Sequence, residues 1–343
     1  MKTIVKPVNE ASIAEAAKII RAGGLVGMPT ETVYGLGADA LNEAAVLSIF
    51  AAKNRPADNP LIVHVSSLEE IPPLVREIPE SAKMLMEAFW PGPMTLILPK
   101  SDCISNAVSA GLDTVGIRMP ASEAARALIR AAGRPIAAPS ANRSGKPSPT
   151  TAQHVYEDMD GRIPMILNGG ECEVGVESSV IDVTGGTPII LRPGGITPEM
   201  VKAVPGECEV DEHVMSPLKE GELVRSPGMK HRHYSPEAKT AIYEGEGNHV
   251  IAAICAAYDE ALDKGEKPCI LGFDEHDFGL RVKISLGSEK EPREAAKRLF
   301  AALRELDERG ETVALCEAVE PTGIGLAVMN RMGRAAGFDL RRV

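Results

Sequence analysis

The sequence predicts an α/β protein of two domains. The first is α+β-like, with a mixed twisted sheet and a basic cleft; the smaller C-terminal one is a doubly wound, Rossmann-like α/β domain. Three observations lead there. The chain has 343 residues, too many for one ordinary core. Residues 1–203 alternate short apolar runs with helical periodicities. Regularity lapses after Pro193-Gly194-Gly195 and returns after Pro236. The expected domains are therefore 1–203, a linker or lid over 204–236, and 237–343.

Asn9 to Ala22 places Ile13, Ala16, Ala17 and Ile20 at helical spacing and stops at Gly23-Gly24. Apolar runs read as strands at Leu25 to Met28, Leu61 to Val65, Met94 to Leu98, Val115 to Arg118, Ile136 to Ala138, Met165 to Leu167, Ser179 to Val183 and Ile189 to Leu191. Helical patterns intervene near 42–52, 67–77, 79–89, 122–132 and 151–159. So many short strands among helices indicate a sizeable mixed sheet, with no readable strand order. Residues 204–236 hold four prolines and little periodicity, a length that is usually functional or disordered. Beyond them come strand Lys239 to Tyr243, helix 247–264, strands Pro268 to Phe273 and Arg281 to Leu286, helix 291–308, strand Thr312 to Val319 and helix 323–336. That alternation is the doubly wound pattern.

Composition excludes several classes. With 44% apolar and 25% charged residues the chain reads as globular, and no apolar run approaches the length of a membrane helix. The N-terminus has no long apolar region and no cleavage site, so a cytoplasmic protein is expected. A net charge of −11 argues against nonspecific coating of nucleic acid. The six cysteines are scattered, without zinc spacing, and read as reduced thiols.

Chemistry concentrates where elements meet. Lys53-Asn54-Arg55 closes a helical stretch before Pro56, and Ser140-Ala141-Asn142 follows an apolar run. Brought together they would make a pocket for phosphate or carboxylate, although Lys and Arg in a last helical turn are also ordinary dipole complements. Met28 to Gly37 runs a strand into Pro29-Thr30-Glu31-Thr32, which is either a plain corner or a polar cleft edge. His64 sits inside an apolar strand, as a satisfied core residue or a neutral hydrogen-bonding group for a substrate. Arg118, near a strand end, needs an anionic partner, from a structural salt bridge or a carboxylate ligand. Glu177-Ser178-Ser179 and Arg192 add hydroxyls and a cation at other strand ends. Gly145-Lys146 is no phosphate-binding P-loop, because Pro147 takes the hydroxyl position. Ser226 to Pro236 gathers basic and imidazole groups within the acidic linker, as a surface patch or as a lid over an anion.

Together these segments carry a resemblance. P-T-E-T-V-Y-G-L, K-N-R-P, the H-V strand, G-I-R-M-P, P-S-A-N-x-S-G and E-S-S-V-I-D, from about residue 10 to 200, resemble the L-threonylcarbamoyladenylate synthases, the YrdC-like family. The S-P-G-M-K-H-R-H-Y-S-P linker and the trailing α/β domain look like the two-domain members. Glu31 stands where many relatives carry Asp, which keeps the carboxylate.

The resemblance implies an enzyme in which N-carboxythreonine, formed from L-threonine and bicarbonate or carbon dioxide, attacks the α-phosphorus of ATP. The products are threonylcarbamoyl-AMP and pyrophosphate, in the first step of modifying tRNAs that read codons beginning with A. Lys53, Arg55, Ser140 and Asn142 would be catalytic. Arg55, Asn59, Thr114, Ser140, Ser148, Arg192 and Tyr234 would bind ATP. Thr32, His64, Arg118, Ala138 and Ser178 would bind L-threonine. Magnesium would accompany ATP, with protein ligands unassigned and no organic cofactor. Downstream threonylcarbamoyl transferase proteins would take the product, weak RNA binding is left open, and no membrane is involved. Two other readings stand beside this one. One is a noncatalytic module that binds double-stranded RNA or tRNA, against which the lack of aromatic platforms counts. The other is a regulatory domain pair with an inactive first domain.

Overall fold

The computed structural model describes residues 2–216 and 234–343. They divide into two compact units. Among the described residues the first runs through Val214 apart from Gly145–Pro147, and the second takes those three residues, Met215 and Ser216, and the chain from Tyr234 to Val343.

In the first unit the strands are β1 (Ile4–Pro7), β2 (Val26–Met28), β3 (Gly35–Asp39), β4 (Ile62–His64), β5 (Met94–Pro99), β6 (Thr114–Arg118), β7 (Ile136–Ala137), β8 (Met165–Asn168), β9 (Ser179–Asp182), β10 (Ile189–Arg192) and β11 (Glu209–Val210). They form one 11-stranded mixed sheet in the order β1-β8-β2-β3-β7-β4-β6-β5-β9-β10-β11. The helices are α1 (Glu10–Arg21), α2 (Glu43–Lys53), α3 (Glu80–Phe89), α4 (Asn106–Ser109), α5 (Glu123–Ala132), α6 (Ala152–Met159) and α7 (Pro198–Lys202).

Local chemistry fixes where these elements start and stop. Asn9 and Ser12 form a capping box at the start of α1, each side chain accepting from the other's backbone N–H at 3.0 Å. A cap of this kind stabilises a helix by about 1 kcal/mol. The small residues Ala16 and Ala17 are buried and belong to one core cluster with Leu128 and Ile129 of α5. α2 starts at an Asn42 cap and ends when Asn54 takes a left-handed conformation, φ 51°, which asparagine tolerates well. Lys53 falls on the buried face of α2 with Val46, Ile49 and Phe50, and the reversal at Asn54 lets the chain leave toward β4. β4 lies inside the sheet, between β7 and β6, and all three of its residues are buried.

The mixed sheet agrees with the sequence expectation; several elements differ from it. The helix expected over 67–77 is a single 3-10 turn, Leu68–Glu70, followed by turns, because Pro72-Pro73 cannot continue a helix. β1 lacks the alternation that marks a half-buried strand, its residues being exposed or half-buried, and it pairs in parallel with β8 about 160 positions away. β11, within the stretch read as linker, pairs in parallel with β10.

The second unit contains β12 (Lys239–Glu244), α8 (Gly247–Asp263), β13 (Pro268–Gly272), β14 (Lys283–Ser285), α9 (Pro292–Arg309), β15 (Val313–Glu317), α10 (Gly325–Ala335) and β16 (Leu340–Arg342). Its five strands are all parallel, in the order β14-β13-β15-β12-β16. The strand expected at Arg281 to Leu286 shortens to three residues, and β16 was not legible because all its residues are exposed. At the carboxyl ends of β12 and β15 a cleft of about 150 Å³ holds a buried carboxylate, Glu317. It accepts from the Phe273 N–H at 2.7 Å and pairs with His276 Nδ1 at 2.5 Å. Burial pushes the Glu317 carboxyl above its ordinary range. Among the described residues no helix is long and apolar enough to cross a membrane.

Candidate active site

The end of α2 and the loop after β7 meet through one buried lysine. Lys53 is 2% exposed. Its Nζ donates to the carbonyl oxygens of Ser140 and of Asn142, the latter at 2.6 Å, and lies 3.4 Å from Asn142 Oδ1. The Lys53 carbonyl in turn accepts from the Ser144 N–H at 3.0 Å. Ser140 Oγ donates to Asn142 Oδ1 at 2.5 Å. The ammonium therefore staples the serine–asparagine loop to α2 and holds both side chains in one register. Arg55, just past the reversal, donates to the Asn59 carbonyl at 3.3 Å and lies over the Phe50 ring at 5.8 Å. Asn59 is fully buried, yet neither side-chain amide atom has a hydrogen-bond partner among the described residues. A native protein seldom leaves such a group unsatisfied without a use for it.

At the other end of β4 sits a second constellation. His64 and Arg118 are register partners on the parallel strands β4 and β6, and the Ala138 N–H donates to the Ile62 carbonyl at 2.9 Å. His64 is buried, and that burial, followed by the Arg118 cation, lowers its pKa to about 3. The imidazole is therefore neutral at physiological pH. Arg118 Nη2 donates to Glu31 Oε1 at 2.5 Å in a pair whose side chains are 4% and 6% exposed. Burial opposes the charge on Glu31, but Arg118 outweighs it and holds the carboxyl below its ordinary range. Arg118 Nε is buried without a hydrogen-bond partner among the described residues, and His64 Nδ1 has none within hydrogen-bond geometry, although the main chain of Ile136 and Ile62 lies close to the imidazole. Thr32 is fully buried, its hydroxyl 2.9 Å from that of Thr30, which donates to the Val33 carbonyl at 2.7 Å.

Arg192, Ser178 and Ser148 lie in a third group. Arg192, buried at the end of β10, donates from Nε to the Ser178 carbonyl at 3.1 Å and from Nη2 to Ser178 Oγ at 3.2 Å. Ser178 Oγ also meets Thr95 Oγ1 at 2.8 Å, and Ser148 donates to Glu177 Oε1 at 2.6 Å. This close approach of segments requires Gly194. A Cβ there would lie 2.3 Å from the Ser179 nitrogen and 2.6 Å from the Glu177 oxygen.

Most of the sequence-derived residues thus fall into linked groups within the first unit. Thr114 stands apart from Arg118. It is half-buried at the opposite end of β6, about 13 Å away at 3.3 Å of rise per residue. Tyr234 belongs to the second unit, where its ring packs on Phe300 with centroids 5.1 Å apart. The rest of the proposed lid, Ser226 to His233, lies outside the described residues. Four polar residues of these groups were not singled out as ligands from the sequence: Glu31, Glu177, Thr95 and Thr30. The signal available was an acid or hydroxyl inside an otherwise buried strand end.

Comparison with known proteins then decides the family. A family profile described as "Telomere recombination" matches residues 18–194, and a profile described as "Threonylcarbamoyl-AMP synthase, C-terminal domain" matches residues 196–337. The chain is 48% identical over 336 residues to the threonylcarbamoyl-AMP synthase of Pyrococcus abyssi, covering 98% of this chain and 97% of that protein. The chain belongs to the threonylcarbamoyl-AMP synthase family. It is an enzyme of the nucleotidyltransferase type. The Bacillus subtilis threonylcarbamoyl-AMP synthase is 46% identical over 332 residues, covering 96% of this chain and 94% of that one. The P. abyssi synthase called Sua5, solved in complex with L-threonine, matches with a TM-score of 0.94 at 47% identity, covering 100% of this chain and 99% of that one. Escherichia coli YciO shares the fold of about half the chain, with a TM-score of 0.50 at 24% identity over 56% of this chain and 94% of that one. The family pattern thus spans both units of this synthase-family chain, as the linker and C-terminal motifs led one to expect.

Proposed function

We propose that the chain joins L-threonine, bicarbonate or carbon dioxide, and ATP into L-threonylcarbamoyl-AMP with release of pyrophosphate. The observation that carries this reading is Arg118 Nε, buried without a hydrogen-bond partner among the described residues, on the residue register-paired with the neutral, buried His64. A substrate carboxylate would satisfy the arginine nitrogen, and the neutral imidazole can exchange a hydrogen bond with an amine or hydroxyl. Thr32, Ser178 and the Ala138 backbone would complete recognition of the threonine hydroxyl and amine. A site built to hydrogen-bond a hydroxyl rejects analogues that lack it, because its own buried groups are then left unpaired.

In the reaction, the threonine nitrogen bonds to the carbon of carbon dioxide and loses a proton, giving a carbamate. A carbamate oxygen attacks the α-phosphorus of ATP while the bond to the bridging oxygen breaks, and pyrophosphate leaves with that electron pair. Arg55 and Arg192 would stabilise the spreading phosphate charge by fixed electrostatics. Ser140 and Asn142, held by Lys53, together with Asn59, Thr114 and Ser148, would contact the nucleotide. Magnesium would arrive as part of the ATP substrate. Among the described residues no three His, Cys, Asp or Glu side chains are grouped to hold a metal, and Mg²⁺ bound to nucleotides keeps mostly phosphate and water ligands. We further infer that the product passes to threonylcarbamoyl transferase proteins acting on tRNAs that read codons beginning with A, in the cytoplasm.

The test is pyrophosphate release by purified protein supplied with ATP. Release should require both L-threonine and bicarbonate. Release that is indifferent to threonine would overturn the proposal.

A further inference from the structure

We propose that Glu31 is a positioning and specificity-determining residue: it anchors the Arg118 guanidinium through Nη2 and balances its charge, so that the amino-acid site selects against anionic side chains. The inference rests on the reading of Arg118 as the group that takes the threonine carboxylate.

Glu31 uses its two oxygens on two different elements. Oε1 accepts from Arg118 Nη2 at 2.5 Å, and Oε2 accepts from the Ser122 N–H at 3.3 Å, at the start of α5. The Glu31 backbone is itself anchored, its carbonyl accepting from Val174 N–H at 2.8 Å. The carboxylate is therefore a fixed post. The Oε1 contact anchors Nη2 of Arg118, and Nε is buried without a hydrogen-bond partner among the described residues. A ligand carboxylate would meet the donors that Glu31 leaves unused. Without Glu31, Arg118 would be a buried cation free to meet an incoming carboxylate by any edge, and substrate orientation would be lost.

The pair also sets the charge of the site. Glu31 and Arg118 cancel, and His64 is neutral, so a zwitterionic amino acid meets no net charge. Glu31 also lines a cleft of about 270 Å³ together with Glu123, Glu171 and Glu173, to which neither Arg118 nor His64 contributes. In the amino-acid site itself, a ligand with a second carboxylate finds no uncompensated cation among Glu31, Arg118 and His64, whereas its neutral amide needs none.

The experiment compares full-length wild type with Glu31→Gln, Glu31→Asp and Arg118→Ala in pyrophosphate release, and measures L-asparagine and L-aspartate as competitors of threonine. In wild type, asparagine should compete about tenfold or more better than aspartate, since the two differ by one charge at nearly equal size. Glu31→Gln should raise KM for threonine about tenfold, leave KM for ATP within about twofold, and narrow the asparagine–aspartate gap. Glu31→Asp keeps the charge and should restore most of the gap. The proposal fails if Glu31→Gln leaves threonine KM and the gap unchanged, including the case where only its melting temperature drops. If Glu31→Gln does not fold, aspartate competing as well as asparagine in wild type overturns it. Arg118→Ala separates the two readings: unchanged threonine KM there removes the premise, whereas a raised KM there with an unaltered Glu31→Gln removes only the role of Glu31.

Discussion

Lys53 Nζ lies 2.6 Å from the carbonyl oxygen of Asn142, so the lysine is bound to the backbone of the loop whose side chains it was expected to assist. A cation at the end of α2 suggests direct contact with phosphate. The structure gives its ammonium to the carbonyls of Ser140 and Asn142. Replacing Lys53 with Met should therefore unseat the loop and leave buried carbonyls unsatisfied, at about 1–3 kcal/mol each. We expect Lys53→Met to lose about 2–4 kcal/mol of stability by urea unfolding along with most of its turnover. Full stability with lost turnover would instead make Lys53 a phosphate ligand.

That lysine shows where sequence reading stops. The positions of Lys53, Ser140 and Asn142 at element ends were legible, because proline, glycine and a change of periodicity mark such ends. The partner of the lysine was not, since it is the backbone of a loop some 87 positions away. Arg118 was legible as a buried cation in need of an anion. That the anion is Glu31 required β6 and the loop after β2 to be brought together across the sheet. β1 and β16 escaped notice for a different reason: exposed or half-buried edge strands carry no alternation for a pattern to detect. The doubly wound second unit was the clearest part, because long amphipathic helices and the largely buried parallel strands β12, β13 and β15 leave strong signals.

Arg192 and Ser178 were assigned to different substrates, yet they are joined by two hydrogen bonds, at 3.1 and 3.2 Å. Removing the arginine should disturb both. We expect Arg192→Ala to raise KM for threonine as well as for ATP, each about fivefold or more, in steady-state pyrophosphate assays. Arg192→Lys should rescue little, because one ammonium cannot reproduce the two donors of the guanidinium at the same spacing. An effect confined to ATP would mean that the contact to Ser178 is incidental.

Gly194 allows two backbone segments to approach. The atoms that an added Cβ would meet, the Ser179 nitrogen at 2.3 Å and the Glu177 oxygen at 2.6 Å, are main-chain and have little room to yield. Gly194→Ala should displace the Glu177–Ser179 segment, and with it the Ser148 and Arg192 contacts. A loss of about 2–4 kcal/mol is expected in chemical denaturation, with activity falling further than stability explains. As a contrast, Gly186 has nothing within 4 Å of its added Cβ, and Gly186→Ala should be close to neutral.

His64 ties the site to stability in acid. Its folded-state pKa is lowered from 6.5 to about 3, first by burial and then by Arg118. Below pH 6.5 the unfolded chain therefore binds a proton that the folded chain refuses. Acidification favours unfolding, and the stability present above pH 6.5 is lost as pH falls toward 3, at up to about 1.4 kcal/mol per pH unit. Glu31, whose carboxyl is held below its ordinary value of 4.5, adds to the same trend only under more acidic conditions, below about pH 4.5. Glutamine in place of His64 removes the first contribution and leaves the second. Urea unfolding of wild type and His64→Gln at pH 7.5, 6.0 and 5.0 should thus give curves that converge as pH falls. Their difference should shrink by about 1 kcal/mol between pH 6.0 and 5.0, while other titrating groups cancel in the subtraction. Parallel curves would mean that His64 takes up its proton in the folded protein, and so that it is not the neutral group the site requires.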